Sequence, residues 1–241
     1  EWPRFDQRPI YGGGDAGMTT FTRLHLDPRS RQARKLLGNP QAMHAAVLSR
    51  FPKEVADKER ILWRQDGKLR GTDEHAVYIV GPDNCDPNKI AEQTGSQTEP
   101  QKARYDRLLG ALEDGQHWHF EVVLNPVAAK KAPGSPRGTR GKLTALVGEE
   151  AQLEWFNAKA KSCGFTPLET LIVERKTLRF SKSVNNSKGR QVVIGTVRYR
   201  GTLQIDDAES FKKALVEGIG RGKAYGCGLL TLAKPITGKP D

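Results

Sequence analysis

Gly218-Ile219-Gly220-Arg221-Gly222-Lys223-Ala224-Tyr225-Gly226-Cys227-Gly228-Leu229-Leu230-Thr231-Leu232 closes the second half of this chain. Five glycines fall within eleven residues, Arg221 and Lys223 stand between them, and an apolar strand-like run follows. Glycine tolerates positive φ and lets a backbone come close to a ligand. Successive exposed N–H groups beside cationic side chains suit phosphate oxygens. The same pattern fits a flexible connection from a helix to a strand, because loops are rich in such residues whatever they do.

Working outward, Asp206-Asp207 opens a helix that runs to about residue 216. Before it lie two long strands, 168–180 and 191–205, joined by Asn185-Asn186-Ser187-Lys188-Gly189, and before those a helix over about 149–162 that Gly164 stops. With a last strand at 229–232 the second half reads α-β-β-α-β, one ferredoxin-like unit if a strand precedes the helix. The first half is a looser version of the same plan. It has a strand over 19–26, a short basic helix capped by Asp27-Pro28 and stopped by Gly38, and a second helix from Asn39-Pro40 through Phe51. A hairpin follows, with strands at 60–65 and 75–80 and a turn at Asp66-Gly67, then a polar loop over 81–105 with one helical turn, and a strand over 117–124. Periodicity alone supports an α+β chain and no more.

Between the halves, residues 125–142 hold Pro126, Pro133 and Pro136 together with Lys130, Lys131, Arg137, Arg140 and Lys142. A basic, breaker-rich connector is the natural domain boundary. The expected division is a leader over 1–17, an N-terminal domain over 18–126 and a C-terminal domain over 127–241. The leader ends in Gly12-Gly13-Gly14-Asp15-Ala16-Gly17, immediately before Met18, and is set aside from the fold.

The 241 residues carry a formal net charge of +11 and are 37% hydrophobic. Such an excess favours a polyanionic partner and says nothing of fold. Nucleic acid is favoured over an anionic membrane, because no long basic amphipathic helix and no run of 18 apolar residues occurs. Cys85, Cys163 and Cys227 are odd in number, far apart and without a C-x-x-C pair, which fits free thiols in a reducing, cytoplasmic setting. No secretory signal pattern is read.

Four stretches in order carry a resemblance. They are the glycine-rich loop; Leu26-Asp27-Pro28-Arg29-Ser30-Arg31-Gln32-Ala33-Arg34 running on to Asn39-Pro40-Gln41-Ala42-Met43-His44; Phe120-Glu121-Val122-Val123-Leu124-Asn125-Pro126; and Glu154-Trp155-Phe156 to Cys163-Gly164-Phe165. Together, over roughly residues 19–235, they resemble the CRISPR RNA-processing endoribonucleases of the RAMP superfamily, most closely the CasE subfamily of type I-E systems. The resemblance implies two tandem ferredoxin-like (RRM-like) domains. It also implies binding of a CRISPR repeat stem-loop, one cut at the base of the stem, and retention on the product within a multi-subunit crRNA-guided surveillance complex.

His44 is the central candidate. From pattern alone it is a histidine at the edge of an apolar stripe formed by Met43, Val47 and Phe51, and such a residue is commonly hydrogen-bonded and inert. The resemblance places it where the family has its catalytic histidine, and imidazole titrates near neutrality, as a general acid or base requires. The implied reaction is metal-independent: a ribose 2′-OH attacks the adjacent phosphorus, the 5′-oxygen leaves, and a 2′,3′-cyclic phosphate or 3′-phosphate and a 5′-OH result. The chain departs from the family at Gln41, where relatives carry a tyrosine three residues before the histidine. Positions i and i+3 share a helix side, so Gln41 can reach the site, but it offers no phenolic proton. Arg31 and Arg34 are the substitutes for stabilising phosphorane charge, or else a solvated basic face. A catalytically silent RNA-binding subunit is the alternative that Gln41 keeps open.

For RNA binding the candidates are Arg175, Lys176, Arg179, Lys182, Arg190, Arg198 and Arg200 on the two long strands and their turn, with Gly220, Arg221, Gly222 and Lys223 in the loop. A basic hairpin can track the phosphates of a stem, since duplex RNA is recognised mostly through backbone and shape. His117 and His119 share a strand face without a third ligand at suitable spacing. No two-metal carboxylate set and no P-loop is found, so neither metal nor cofactor is expected.

Overall fold

The computed structural model describes residues 18–68, 71–131, 133–134, 136, 138–181, 189 and 191–234. The leader over 1–17, with Arg137, Lys182, Lys188 and Arg190, lies outside them.

The first half folds as β1 (Thr19–Leu26), α1 (Arg31–Gly38), α2 (Pro40–Leu48), α3 (Lys53–Lys58), β2 (Leu62–Lys68), β3 (His75–Pro82), α4 (Asn88–Thr94), β4 (Gln101–Arg104) and α5 (Tyr105–Gly110). The second half follows as β5 (His117–Leu124), β6 (Val127–Lys130), β7 (Lys142–Ala145), α6 (Glu149–Lys161), β8 (Phe165–Ser181), β9 (Gln191–Ile205), α7 (Ala208–Glu217) and β10 (Leu230–Ala233). Two four-stranded antiparallel sheets result, in the orders β2-β3-β1-β4 and β10-β5-β9-β8, with β6 and β7 forming a separate ribbon. Each sheet has the order of a ferredoxin-like βαββαβ unit, so the fold is α+β with two such units in tandem.

The strand that the second unit needs before its helix is β5, which pairs with both β9 and β10. It therefore belongs to the second sheet, whereas the division at 126/127 would leave it in the first. Proline-rich residues 125–142 are not a linker between sheets but an excursion within the second unit. A breaker-rich segment marks any exposed crossing, and nothing in its composition tells a linker from an insertion.

Other departures are local. Asp66 and Gly67 lie inside β2, with a register irregularity between Gln65 and Lys68, and the chain turns only beyond Lys68. Helix α1 starts at Arg31 with Ser30 as its cap, because the carboxylate of Asp27 is taken by the backbone and side chain of Arg29. The polar stretch over 81–105 contains α4 and β4. Helix α4 buries only Ile90, Ala91 and Thr94 and stops at Gly95, which has a left-handed conformation. Strand β4 is a four-residue edge that pairs with β1 alone among the described strands. Neither buries enough apolar surface to leave a periodic signature.

One core runs from Phe21, Leu62 and Val80 in the first sheet to Val122, Phe156 and Phe211 in the second unit. A second core, with Leu24, Leu26, Met43, Val47 and Ile90, lies under α1, α2 and α4. The halves are also tied by charge. Arg64 on β2 is 1% exposed. It donates to the carbonyl oxygens of Glu121 (2.6 Å) and Leu229 (3.2 Å), to Thr231 Oγ1 (3.0 Å) and, through two bonds of 2.8 Å, to Asp66. All the N–H donors of a guanidinium are thereby used. Arg198 on β9 returns the connection, donating to Asp66, to the carbonyl of Gln65 and to Glu121, and Arg200 donates to the other Glu121 oxygen. Burial pushes the Asp66 carboxyl up, but the two arginines outweigh it and hold its pKa below the ordinary value.

Removing one member of such a buried set leaves an uncompensated charge. Arg64→Ala is expected to lower the unfolding free energy by about 3–5 kcal/mol, read as a shift in the urea midpoint at pH 7. A second expectation concerns His25, which is 1% exposed with neither ring nitrogen hydrogen-bonded. Burial and then the charge of Arg23 depress its pKa, with Glu74 opposing. A folded-state pKa below that of the unfolded chain gives stability that is present above about pH 6.5 and lost as the pH falls through the folded value. The urea midpoint should therefore drop between pH 7 and pH 5, and His25→Leu should flatten that drop.

Candidate active site and RNA-contacting surface

Helix α2 is set by its first residues. Asn39 caps it, its side-chain oxygen accepting from the N–H groups of Gln41 (3.0 Å) and Ala42 (3.3 Å), and Pro40 occupies the first turn. Met43 and Val47 are fully buried and anchor one face. Gln41 and His44, three apart, lie beside that stripe and are half-buried. His44 Nδ1 and Gln41 Oε1 are both buried without a hydrogen-bond partner. An unpaired buried polar atom costs stability, and two such atoms one turn apart mark a place where a ligand would complete the bonding. Burial alone lowers the His44 pKa, so the ring is neutral at pH 7.

The glycine-rich loop lies against this helix. Its 3-10 turn, Lys223–Tyr225, packs on α2 and β2, and α2 also touches β8. All five glycines have positive φ, and two of them are also fixed by contact with the first sheet. A Cβ at Gly218 would come within 2.7 Å of Leu62, and one at Gly226 within 2.9 Å of the Trp63 ring. The loop is thus held to the first sheet, where a freely flexible connection would not be. Gly220 and Gly222 are partly accessible, Arg221 is exposed and Lys223 is half-buried. Burial and then Arg60 lower the Lys223 pKa. The Tyr225 ring meets Phe180 at 4.8 Å, which brings the far end of the β8–β9 hairpin to the same place.

The basic hairpin divides into two faces. Residues opposite one another on paired strands share a face. Arg175 is opposite Val197 and Arg179 opposite Val193, on the side where Tyr199 stacks on Phe156 of α6. Arg175 donates to Gln152 Oε1 (3.0 Å) and Glu149 Oε2 (2.7 Å) of that helix. Arg179 is exposed and makes no ion pair among the described residues. Arg198, opposite Glu174, points the other way with Lys176 and Arg200. That face lines a cleft of about 1450 Å³ between the two sheets, together with Arg23, His75 and Lys234. Arg198 is occupied by the buried network described above, Arg200 is half-exposed on Glu121, and Lys176 pairs with Glu174 at 2.6 Å. Strand alternation puts Arg175 with Arg179, and Arg198 with Arg200, and cross-strand register decides that the two pairs are back to back.

Arg31 and Arg34 are both exposed on α1, which packs on α2. Arg34 Nη1 donates to the carbonyls of Pro28 and Arg29, while no partner engages the Arg31 guanidinium among the described residues. Lys182 and Arg190 lie outside the described residues. The structure therefore gathers His44, Gln41, the glycine loop and the Phe180 end of the hairpin, while Arg198 and Arg200 line the cleft that Pro40, Tyr225 and Gly226 also line and are held there by Asp66 and Glu121. Sequence reading missed Arg64, whose only signal is a lone arginine after Ile61-Leu62-Trp63 with Asp66 two residues on. Among the described residues no group of three or more metal-binding side chains occurs, and no helix is long and apolar enough to cross a membrane. Cys85 and Cys227 are buried free thiols, pushed by burial up to about 11 and about 12.

The chain is similar to the CRISPR-associated endoribonuclease Cse3 of Thermus thermophilus, with 28% identity over 221 residues that cover 88% of this chain and 99% of the relative. It is also similar to the Cascade subunit CasE of Escherichia coli, with 29% identity over 51% of this chain and 60% of that one. A solved structure of the endoribonuclease Cse3 bound to a 19-nucleotide RNA superposes with a TM-score of 0.73 at 27% identity, covering 90% of this chain and all of that one. The model of the CRISPR associated protein family matches residues 21–234, and the chain belongs to that family.

Proposed function

We propose that this protein is a metal-independent endoribonuclease that binds the stem-loop of a CRISPR repeat transcript, cuts precursor CRISPR RNA once at the base of the stem and stays on the product. Similarity to an endoribonuclease and to a Cascade subunit supports a place in a type I-E surveillance complex. The observation that carries the catalytic reading is the pair of buried, unpartnered atoms His44 Nδ1 and Gln41 Oε1 on a helix held against a glycine-rich, cationic loop.

In this reading the loop and the far end of the hairpin hold the phosphates that flank the scissile bond. The neutral His44 ring takes the proton of the ribose 2′-OH. The oxygen attacks phosphorus, the bond to the 5′-oxygen breaks, and that oxygen acquires a proton, leaving a 2′,3′-cyclic phosphate and a 5′-OH. Charge on the phosphorane is met by Arg31, whose guanidinium has no partner among the described residues, more readily than by Arg34, which is bound to its own loop. A second reading, a silent RNA-binding subunit, draws on Gln41, which cannot act as a phenolic acid.

Incubation of repeat-derived hairpin RNA with the protein and EDTA separates the two readings: cleavage supports the first, and binding without cleavage the second. His44→Ala should leave hairpin affinity nearly unchanged and slow single-turnover cleavage at least about a hundredfold; wild-type cleavage by this variant would end the assignment. With His44 as base, the single-turnover rate should rise with pH and level off above an apparent pKa below its ordinary value of about 6.5. A rate that instead falls across that range would make His44 the acid. Gln41→Ala should cost little, whereas Arg31→Ala should remove roughly 3 kcal/mol of transition-state stabilisation, read as the rate at saturating enzyme. A large loss at Gln41 with none at Arg31 would give the role to the amide.

A further inference from the structure

Transfer of the 2′-OH proton to His44 is half of the proton traffic that such a cleavage needs. The departing 5′-oxygen must gain a proton, and the Gln41 amide is no acid. The elements that pack most closely on α2 are α1, the turn Lys223–Tyr225 and β8. Helix α1 and strand β8 carry Arg31, Arg34, Arg175 and Arg179, and a guanidinium keeps its proton. The turn brings two groups that can part with one, Lys223 and Tyr225.

Lys223 is turned elsewhere. A Cβ at Gly218 would meet its Cε at 3.3 Å, and one at Gly228 its Cγ at 3.3 Å. Its stem therefore lies across the neck of the loop, where the Ile219 N–H donates to the Gly228 carbonyl. The groups that act on its ammonium are Arg60, Glu217 and Cys163, none of them on α2.

Tyr225 is turned toward the start of α2. Its ring meets buried Phe180 of β8 at 4.8 Å. It lines the cleft beside Leu37, Gly38 and Pro40, at the junction of α1 with α2. The residue is half-buried, and no hydrogen bond engages its hydroxyl among the described residues. Pro40 and His44 are four apart and share one side of the helix. Helical side chains lean back toward the N-terminus, so the His44 ring is carried over the turn that Pro40 begins, beside which Tyr225 stands.

We propose that Tyr225 is a catalytic residue, the general acid that protonates the leaving 5′-oxygen. This role rests on the endonuclease reading above and supplies the proton which that reading leaves unassigned. The 2′-oxygen bonds to phosphorus as its proton passes to His44. The bond from phosphorus to the 5′-oxygen breaks, and that oxygen takes the phenolic proton. A 2′,3′-cyclic phosphate and a 5′-OH result, with an imidazolium and a phenolate left on the protein. One proton passed between those two through solvent restores both, so none is consumed. Tyrosine is among the side chains that serve as general acids, and Phe180 fixes the ring that carries this one.

The test compares wild type, Tyr225→Phe and His44→Ala on two repeat-derived hairpin RNAs at saturating enzyme. One has the natural 5′-oxygen at the scissile bond and the other a 5′-sulfur, which leaves as a thiolate without being protonated. Tyr225→Phe should cut the natural RNA about a hundredfold more slowly than wild type, with hairpin affinity unchanged, yet cut the 5′-sulfur RNA at the wild-type rate. His44→Ala should be slow on both, because the nucleophile still has to lose its proton. Wild-type cleavage of the natural RNA by Tyr225→Phe would overturn the role. So would equal slowing on the two RNAs, the mark of a ring that only supports the loop. A wild-type chain that binds both RNAs and cuts neither would instead end the endonuclease reading, and the role of Tyr225 with it.

Discussion

The geometry of this protein depends on one guanidinium. Arg64 comes from the first sheet, is fully buried, and spends its donors on the backbone of β5, on the residues around β10 and on Asp66. Leu229, one of its acceptors, immediately follows the last glycine of the loop. The same side chain that joins the two units therefore also fixes where the glycine loop begins its return. Buried ionic groups are a poor source of stability in themselves, since desolvation offsets most of the attraction. Here the set fixes position: Arg64, Asp66, Arg198 and Glu121 satisfy one another in a single arrangement of two sheets, and any sliding of one sheet over the other would strand a charge.

That constraint explains why the catalytic candidate and its RNA-binding surface come from opposite ends of the sequence. His44 and Gln41 belong to the first unit, the loop and hairpin to the second. Packing of Leu62 and Trp63 against Gly218 and Gly226 closes the distance, and the arginine network sets the angle. On half-buried His44 and Gln41, the ring Nδ1 and the amide oxygen are left without hydrogen-bond partners among the described residues, which is the local cost of that arrangement.

Much of this was legible in the sequence. The bounds of β1, β5 and β9 follow from alternation alone, and Asn39-Pro40 announces α2 through cap chemistry that needs no tertiary contact. What was not legible depends on long-range partners. Asp66-Gly67 has turn composition, yet Arg64 and Arg198 draw the aspartate into a strand. Helix α4 and strand β4 are short and half-polar, and their existence is decided by what they pack on. Placement of β5 in the second sheet, and the back-to-back arrangement of Arg175 and Arg198, are facts of pairing register, which a single strand does not encode. Family likeness supplied the role proposed for His44, which its helical position alone would have assigned to ordinary packing.

The sheet order leaves the seventeen-residue strand β8 at an edge, with a row of backbone groups facing outward. Long free edges invite pairing with other chains. This one carries two register irregularities, at 167/169 and 172/174, and alternates Leu168, Leu171 and Val173 with Glu169, Glu174, Arg175 and Lys176. The charges and kinks that make the strand a poor template for self-association also keep a highly basic protein dispersed, so that its excess of positive charge is left to be met by RNA.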